Sequence, residues 1–538
     1  MELNYFSSSS SNIPFIIIFL SLSTIAFSFL LSTIGKLINK KPLPPGPWKL
    51  PIIGSLHHLI GELPHRSLTR LSRKYGPLMH LQLGEVPAIV VSSPEMAKAV
   101  TKTHDLAFSN RPKLMALDLV FYKCTDIAFA PYGDYWREMR RICILELLTA
   151  KMVKSFGSIR QDELRKLVSS VTASSSLSSS LSSSLSVVNV MKKVMWFNSS
   201  MTCRAAFGRI KLSSRDKEKL IAKVTEVLSY AGGFDVADLF PSRKWIPYVC
   251  GSRSRLLTLH RGLDKIYESM IEEHEENTTC RSNEEEEEDI VDVLLRVGQV
   301  GEHRLTRDNI KAVINDLFSA GSETTATTAT WAMSELMRNR CVMDKAQEEV
   351  RSTINGGKTT AATSFDDDEV EKLTYLKLVI RETLRLHPPI PLLLPRESSE
   401  EIVIGGFTIP PKTRAIVNAW AIGRDPEVWE DPEAFWPERF MNNNSSAAAV
   451  EADVHGNHYE LLPFGAGRRV CPGVRFGLAN VTHSLAALLY HFDWELPPGV
   501  TTKNFDMSET MGLKATRKKD LCLVARPYTH SSLQHLIE

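Results

Sequence analysis

The stretch Phe464-Gly465-Ala466-Gly467-Arg468-Arg469-Val470-Cys471-Pro472-Gly473 sets a single cysteine among glycines and arginines, just ahead of the apolar run Phe476 to Leu489. A thiolate stays ionised only near positive charge or a favourable dipole. Proline suits the first position of a helix, so Pro472 predicts a helix start whose positive dipole end lies near Cys471. Gly467 and Gly473 allow a tight turn and the close approach of something large and flat. Arg469 is placed to bind an anionic group such as a haem propionate. Together these residues suit the presentation of an axial thiolate to haem iron, a ligation that pushes electron density onto the iron and favours O–O cleavage. A buried structural cysteine in a Gly-rich turn is the competing account.

Asn309 to Asn339 reads as one long helix carrying Ala320-Gly321-Ser322-Glu323-Thr324-Thr325. Glycine and two threonines weaken a helix locally. The Thr324 hydroxyl is expected to bond the Ala320 carbonyl four residues back and to open a bulge. An acid beside a hydroxyl can also relay protons to a metal-bound peroxide; a small-residue patch for helix packing is the alternative. Glu382 and Arg385 share a helix face at i, i+3 and are placed to pair. Trp136 and Arg140 share a face at i, i+4.

The elements that position these residues are read from a chain of 538 residues, long enough for a large catalytic domain. Short β-rich segments at Leu78 to Leu83 and Ala88 to Val91 precede mostly helical patterns from about Asp134. With 64 basic against 62 acidic residues the charges nearly cancel, which argues against nucleic-acid binding. Eight cysteines show no Cys-x-x-Cys pair, and 15 histidines show no His-Glu-x-x-His spacing. Residues 3–35 carry no charge, and the run 13–34 is long and apolar enough to cross a bilayer as a helix. Lys36, Lys40 and Lys41 follow it, so the positive-inside rule places the rest of the chain in the cytosol. The expected organisation is an anchor over 1–41, a stiff proline-rich hinge at 42–47 and one catalytic domain over 42–538. Serine-rich 174–186, acidic 284–288, small-residue 356–364 and the 442–450 insert read as surface loops or helix margins.

In order and spacing these motifs resemble those of the cytochrome P-450 family, and phrases such as Phe129 to Arg137, Asn418 to Asp425 and Phe476 to Asn480 resemble its plant microsomal A-type members. The resemblance implies a mainly α fold with a small β region behind an N-terminal transmembrane helix. It assigns Phe464, Gly467, Arg469, Cys471 and Gly473 to the haem loop, with Cys471 the iron ligand. It assigns proton delivery to Glu323 and Thr324, and propionate binding to Trp136, Arg140 and Arg396. Glu382-x-x-Arg385 is expected to be buried and completed by Arg439. The implied activity is a haem b monooxygenase that inserts one atom of O2 into a C–H bond. Electrons would come from NADPH through a separate NADPH–cytochrome P-450 reductase, at the endoplasmic reticulum membrane. Apolar residues of Pro112 to Cys124 (Leu117, Val120 and Phe121 among them), the 317–325 helix face and Ile390 to Leu394, including Leu392, are expected to contact a lipophilic substrate. A terpenoid is expected, with a phenylpropanoid, flavonoid or alkaloid as alternatives. A haem-thiolate isomerase or dehydratase, or a non-catalytic haem protein, are the alternatives of another class.

Overall fold

The computed structural model describes residues 41–176, 187–208, 213–280, 288–299, 304–354, 365–441, 456–510 and 512–528. Among the described residues no helix is long and apolar enough to cross a membrane. The apolar run 13–34 lies outside them, as do most of the serine-rich and acidic stretches, 356–364 and 442–450.

The longer helices are α1 (Pro64–Tyr75), α2 (Asp134–Ile142), α3 (Gly157–Ser176), α4 (Val190–Phe207), α5 (Ser214–Tyr230), α6 (Ser252–Cys280), α7 (Arg307–Arg338), α8 (Arg340–Ile354), α9 (Thr374–Leu386) and α10 (Val474–His491). A four-stranded sheet has the order β1 (Leu78–Leu83), β2 (Val86–Val91), β7 (Arg414–Val417), β4 (Arg396–Glu397). β3 (Val187–Asn189), β9 (Cys522–Pro527) and β8 (Phe492–Glu495) form a second sheet, and β5 (Ile402–Ile404) with β6 (Phe407–Ile409) a hairpin.

α7 is the axle, packing against α4, α9 and α10. Thr306 and Asn309 close a capping box at its start. Most of its residues are buried, many of them polar. Buried hydroxyls need partners, and here they find them within the helix. Thr324, Thr325, Thr327, Thr328, Thr330 and Ser334 each donate to the carbonyl four residues back, at 2.6–3.0 Å. The expected Thr324–Ala320 bond is therefore present, but the helix stays α throughout and no bulge opens. Apolar side chains of α7, α8, α9 and α10 make one core; those of α6, α4 and the first half of α7 make another.

The Glu382–Arg385 pair on α9 is fully buried, with Arg385 Nε and Nη2 each 2.7 Å from a Glu382 oxygen. Arg439 Nε adds a third bond at 3.1 Å. Arg385 also donates to the carbonyls of Gly423, Pro432 and Ala434, so α9 is tied to the segment that leads toward the cysteine loop.

Candidate active site

The cysteine loop doubles back on itself. Gly465 (φ 72°) and Gly467 (φ 68°) adopt the left-handed conformation, and the Cys471 N–H donates to the Phe464 carbonyl at 3.0 Å. α10 begins only at Val474, with Gly473 as its N-cap. Pro472 thus lies outside the helix, not at its first position. The Gly473 N–H nevertheless bonds the Cys471 sulfur. Burial pushes the Cys471 thiol up; that N–H and the Arg140 charge pull it back down.

Above the sulfur lies a cavity of about 240 Å³. Cys471, Phe464 and Gly473 line one side, and Leu317, Ala320, Gly321 and Thr324 of α7 line another. Ala320, in the middle of a buried helix, is exposed to this space. Ile390, Leu393 and Leu394 complete an apolar wall, with Leu393 held at φ 50°, an unfavourable conformation for a non-glycine residue.

Arg111, Arg140, Arg396 and Arg469 also line the cavity. β4 carries Arg396 at the sheet edge, paired across to Ala415; it bonds Asp105 at 2.8 Å and the Ala466 carbonyl at 2.6 Å. Arg140, on α2, donates to the Val470 carbonyl at 2.5 Å. Arg469 donates to the carbonyls of Ser109, Ile127 and Ala130. Arg111 donates to those of Ala128, Leu394 and Pro395. Burial and the neighbouring Arg396 and Arg140 lower Arg469 to about 9. Burial, then Arg469 and Arg396, hold Arg111 well below the ordinary arginine range. A cluster of buried and half-buried cations bonded largely to neutral carbonyls is the donor set for an anion. A sulfur at one wall, an apolar face opposite and this cationic group fit a haem with its two propionates.

Several expected residues are placed differently. The Trp136 indole N–H donates to the Ile127 carbonyl at 2.9 Å, and its ring lies 4.2 Å from the Arg469 guanidinium; it braces that arginine and does not line the cavity. Gly467 is required because a Cβ there would collide with the Thr101 carbonyl oxygen, so its close approach is to the protein itself. Glu323 is buried on α7 away from the cavity lining and engages Thr225 and Lys514. Leu117, Val120 and Phe121 are core residues, and Leu392 packs on another cluster. Ile127 and Ala128 form the wall instead.

Sequence reasoning missed Arg111 and Asp316. The Asp316 carboxylate lines the cavity and accepts from the Ile127 and Ala128 N–H groups, at 3.2 and 3.0 Å. Burial raises it to about 6 against those two bonds. Nothing local to either residue signals a site; only the fold brings them there.

The family model described as "Cytochrome P450" matches residues 44–523. The chain belongs to the cytochrome P-450 family. It is 52% identical over 497 residues to premnaspirodiene oxygenase of Hyoscyamus muticus, covering 92% of this chain and 94% of that protein. It is 48% identical over 486 residues to amorpha-4,11-diene 12-monooxygenase of Artemisia annua (90% and 92% covered). It is 46% identical over 480 residues to germacrene A hydroxylase of Tanacetum parthenium (89% and 93%). A solved zebra fish cytochrome P-450 with progesterone superposes with TM-score 0.70 at 25% identity, over 87% of this chain and 100% of that one. As a member of this family of monooxygenases the chain is an oxidoreductase with a haem-iron cofactor, using O2, a redox partner and a lipophilic substrate.

Proposed function

We propose that this cytochrome P-450 hydroxylates a terpenoid hydrocarbon, with Cys471 as the thiolate ligand of a haem b and Arg111, Arg140, Arg396 and Arg469 holding its propionates. The observation that carries this reading is the single cavity wall set on which the Cys471 sulfur, the apolar face of α7 and the four arginines converge. When bound, haem supplies O2 activation, so that one oxygen atom enters the substrate and the other leaves as water.

The protein's own groups then have distinct tasks. Leu317, Ile390, Leu393 and Leu394 desolvate an apolar substrate and offer it few hydrogen bonds. Position of attack is therefore set by shape. Thr324 Oγ1 lies on the cavity side and holds a proton at hydrogen-bond distance of the Ala320 carbonyl, 2.6 Å. With Glu323 behind it, it supplies protons for the reaction. Premnaspirodiene, amorpha-4,11-diene and germacrene A name the substrates of relatives near 50% identity, and that similarity supports a terpenoid.

We further infer that residues 1–41 anchor the chain through a helix over 13–34. Residues 42–538 then form a cytosolic domain at the endoplasmic reticulum, fed by NADPH–cytochrome P-450 reductase. The charge pattern around the apolar run supports this orientation. The test is co-expression with a plant reductase and a panel of terpene, phenolic and alkaloid substrates, read by mass spectrometry. NADPH-dependent hydroxylation confined to terpenes is expected. Turnover without NADPH would favour an isomerase, and turnover of phenolics alone would overturn the substrate class.

A further inference from the structure

A second cavity lies between α9 and α10. It encloses about 370 Å³, inside the roughly 300–1,000 Å³ range of small-molecule pockets. It shares only Leu384 and Leu478 with the Cys471 cavity, so the two back onto each other across those side chains. Both helices build it by one periodicity. On α9 the lining residues Lys377, Ile380, Arg381 and Leu384 recur at i, i+3, i+4 and i+7; on α10 Arg475, Leu478, Ala479 and Thr482 do the same. That spacing gives each helix one continuous face toward the space. Each stripe begins with a cation and runs on to a leucine. Val153, from the short helix Ala150–Ser155, and Val370, from Asp367–Val370, extend the apolar floor. Val153, Val370, Ile380 and Leu384 are all buried.

The charges around this floor do not balance. Asp367 is already neutralised, because Arg160 Nη1 and the His483 ring each lie 2.9 Å from its Oδ1. Lys154 meets Asp368, outside the lining, at 3.4 Å. Of the other charged side chains that line the space, Lys377, Arg381 and Arg475 are positive and only Glu371 is negative. Lys377 Nζ donates to the Glu371 backbone carbonyl at 2.7 Å, which places the ammonium. The Arg381 guanidinium is buried over the Phe440 ring, 4.0 Å from its centre, whereas Arg475 is exposed.

We propose that this cavity is a second small-molecule site, which takes a lipophilic carboxylate. Its head meets Lys377, Arg381 and Arg475, and its hydrocarbon body lies on Val153, Val370, Ile380, Leu384 and Leu478. A guanidinium fork holds a carboxylate through two parallel hydrogen bonds, and an ammonium adds a point charge. An apolar floor alone would take a neutral lipid, and a cationic group alone a simple anion. The two together select a molecule that carries both. An acidic protein surface would meet the charges and leave the floor unfilled. The site does not depend on which substrate the Cys471 cavity takes.

The test uses the full-length, haem-loaded protein and an octanoic acid with a photoreactive diazirine on its chain. Phenylimidazole, a nitrogen ligand for haem iron, fills the Cys471 cavity during labelling, so that the probe is kept out of it. Peptides are then mapped by mass spectrometry. Label is expected on α9 and α10, in peptides that carry Ile380, Leu384, Leu478 or Ala479. Unlabelled octanoate should displace it at a concentration roughly tenfold or more below that needed for octanol, and acetate should not displace it. Arg475→Glu should lower labelling about tenfold, and Arg475→Lys should largely restore it. Each variant is first shown to retain the red-shifted Soret band of the reduced carbon-monoxide complex; if Arg475→Glu does not, Lys377→Glu decides by the same criterion. Label confined to Cys471-cavity residues such as Ala320 or Leu393 overturns the inference. So does equal labelling of the glutamate variant. Octanol competing as well as octanoate would remove the role of the charges, and acetate competing as well would remove that of the floor; either result overturns it too.

Discussion

At the scale of single residues, Thr324 joins two tasks in one hydroxyl. It caps a carbonyl inside its own helix and faces the cavity. Thr324→Val removes one helix-internal hydrogen bond, worth about 1 kcal/mol, so folding and haem loading should persist. Product per NADPH should nonetheless fall several-fold, with peroxide released in its place. A coupled assay of the three species checks this, and unchanged coupling would return the hydroxyl to a packing role. The residues of the Cys471 loop were legible from sequence because their types and spacing are fixed within one turn of chain. Arg111 and Asp316 were not. Each is an ordinary charged residue in its local context, and only tertiary packing brings it to the cavity. The role expected of Trp136 changed for a related reason: helical spacing gives its face but not which acceptor on a neighbouring segment the indole meets, here the Ile127 carbonyl.

At the scale of elements, two buried charge clusters fix the frame around the site. Glu382 accepts from Arg385, Arg439 and the Trp436 N–H, and its side chain is fully buried. Glu382→Ala strands two guanidinium groups and should cost about 3–5 kcal/mol. Measured by urea denaturation and haem retention, the variant is expected to unfold at markedly lower denaturant and to lose haem; wild-type values would mean the triad is dispensable. A second cluster joins α1 to the C-terminal region, where Glu509 meets His65 at 3.0 Å and Arg66 at 3.1 Å. Burial would raise the Glu509 carboxyl, but the hydrogen bond from His65 and the electrostatic pull of His65, Arg66 and His387 outweigh it and hold the group at about 2. A folded-state value below the ordinary 4.5 stabilises the protein above that pH, and the contribution is lost as pH falls toward 2. Glu509→Gln should therefore lower stability at neutral pH and flatten its decline between pH about 4.5 and about 2. Denaturant midpoints across that range test it, and parallel curves for the two proteins would contradict it. Helix periodicity predicted α7 to within two residues at its start. It did not predict that the helix stays regular at Gly321, because the hydroxyl-to-carbonyl bonds that satisfy the threonines leave the backbone ladder intact.

At the scale of the whole molecule, a long buried helix, a cysteine loop and a small mixed sheet are brought to one cavity from opposite ends of the chain. The fold class was legible in the motifs and their order. The parallel pairing of β2 with β7 was not, since strands more than three hundred residues apart leave no local sign of their register, here Val91 beside Val417. The proposed anchor gives a prediction at this scale. In intact microsomes, protease added outside should degrade residues after 41 while the apolar run survives. Full protection of the residues after 41 would mean the orientation is inverted. The central claim is that Cys471 serves oxygen insertion into a terpenoid. Its most direct test is incubation of full-length protein and plant reductase with amorpha-4,11-diene, premnaspirodiene or germacrene A under heavy-isotope O2, beside Cys471→Ser. We predict an NADPH-dependent alcohol carrying one labelled oxygen from wild type and none from the variant. An alcohol labelled from water, or equal labelled product from Cys471→Ser, would contradict the account.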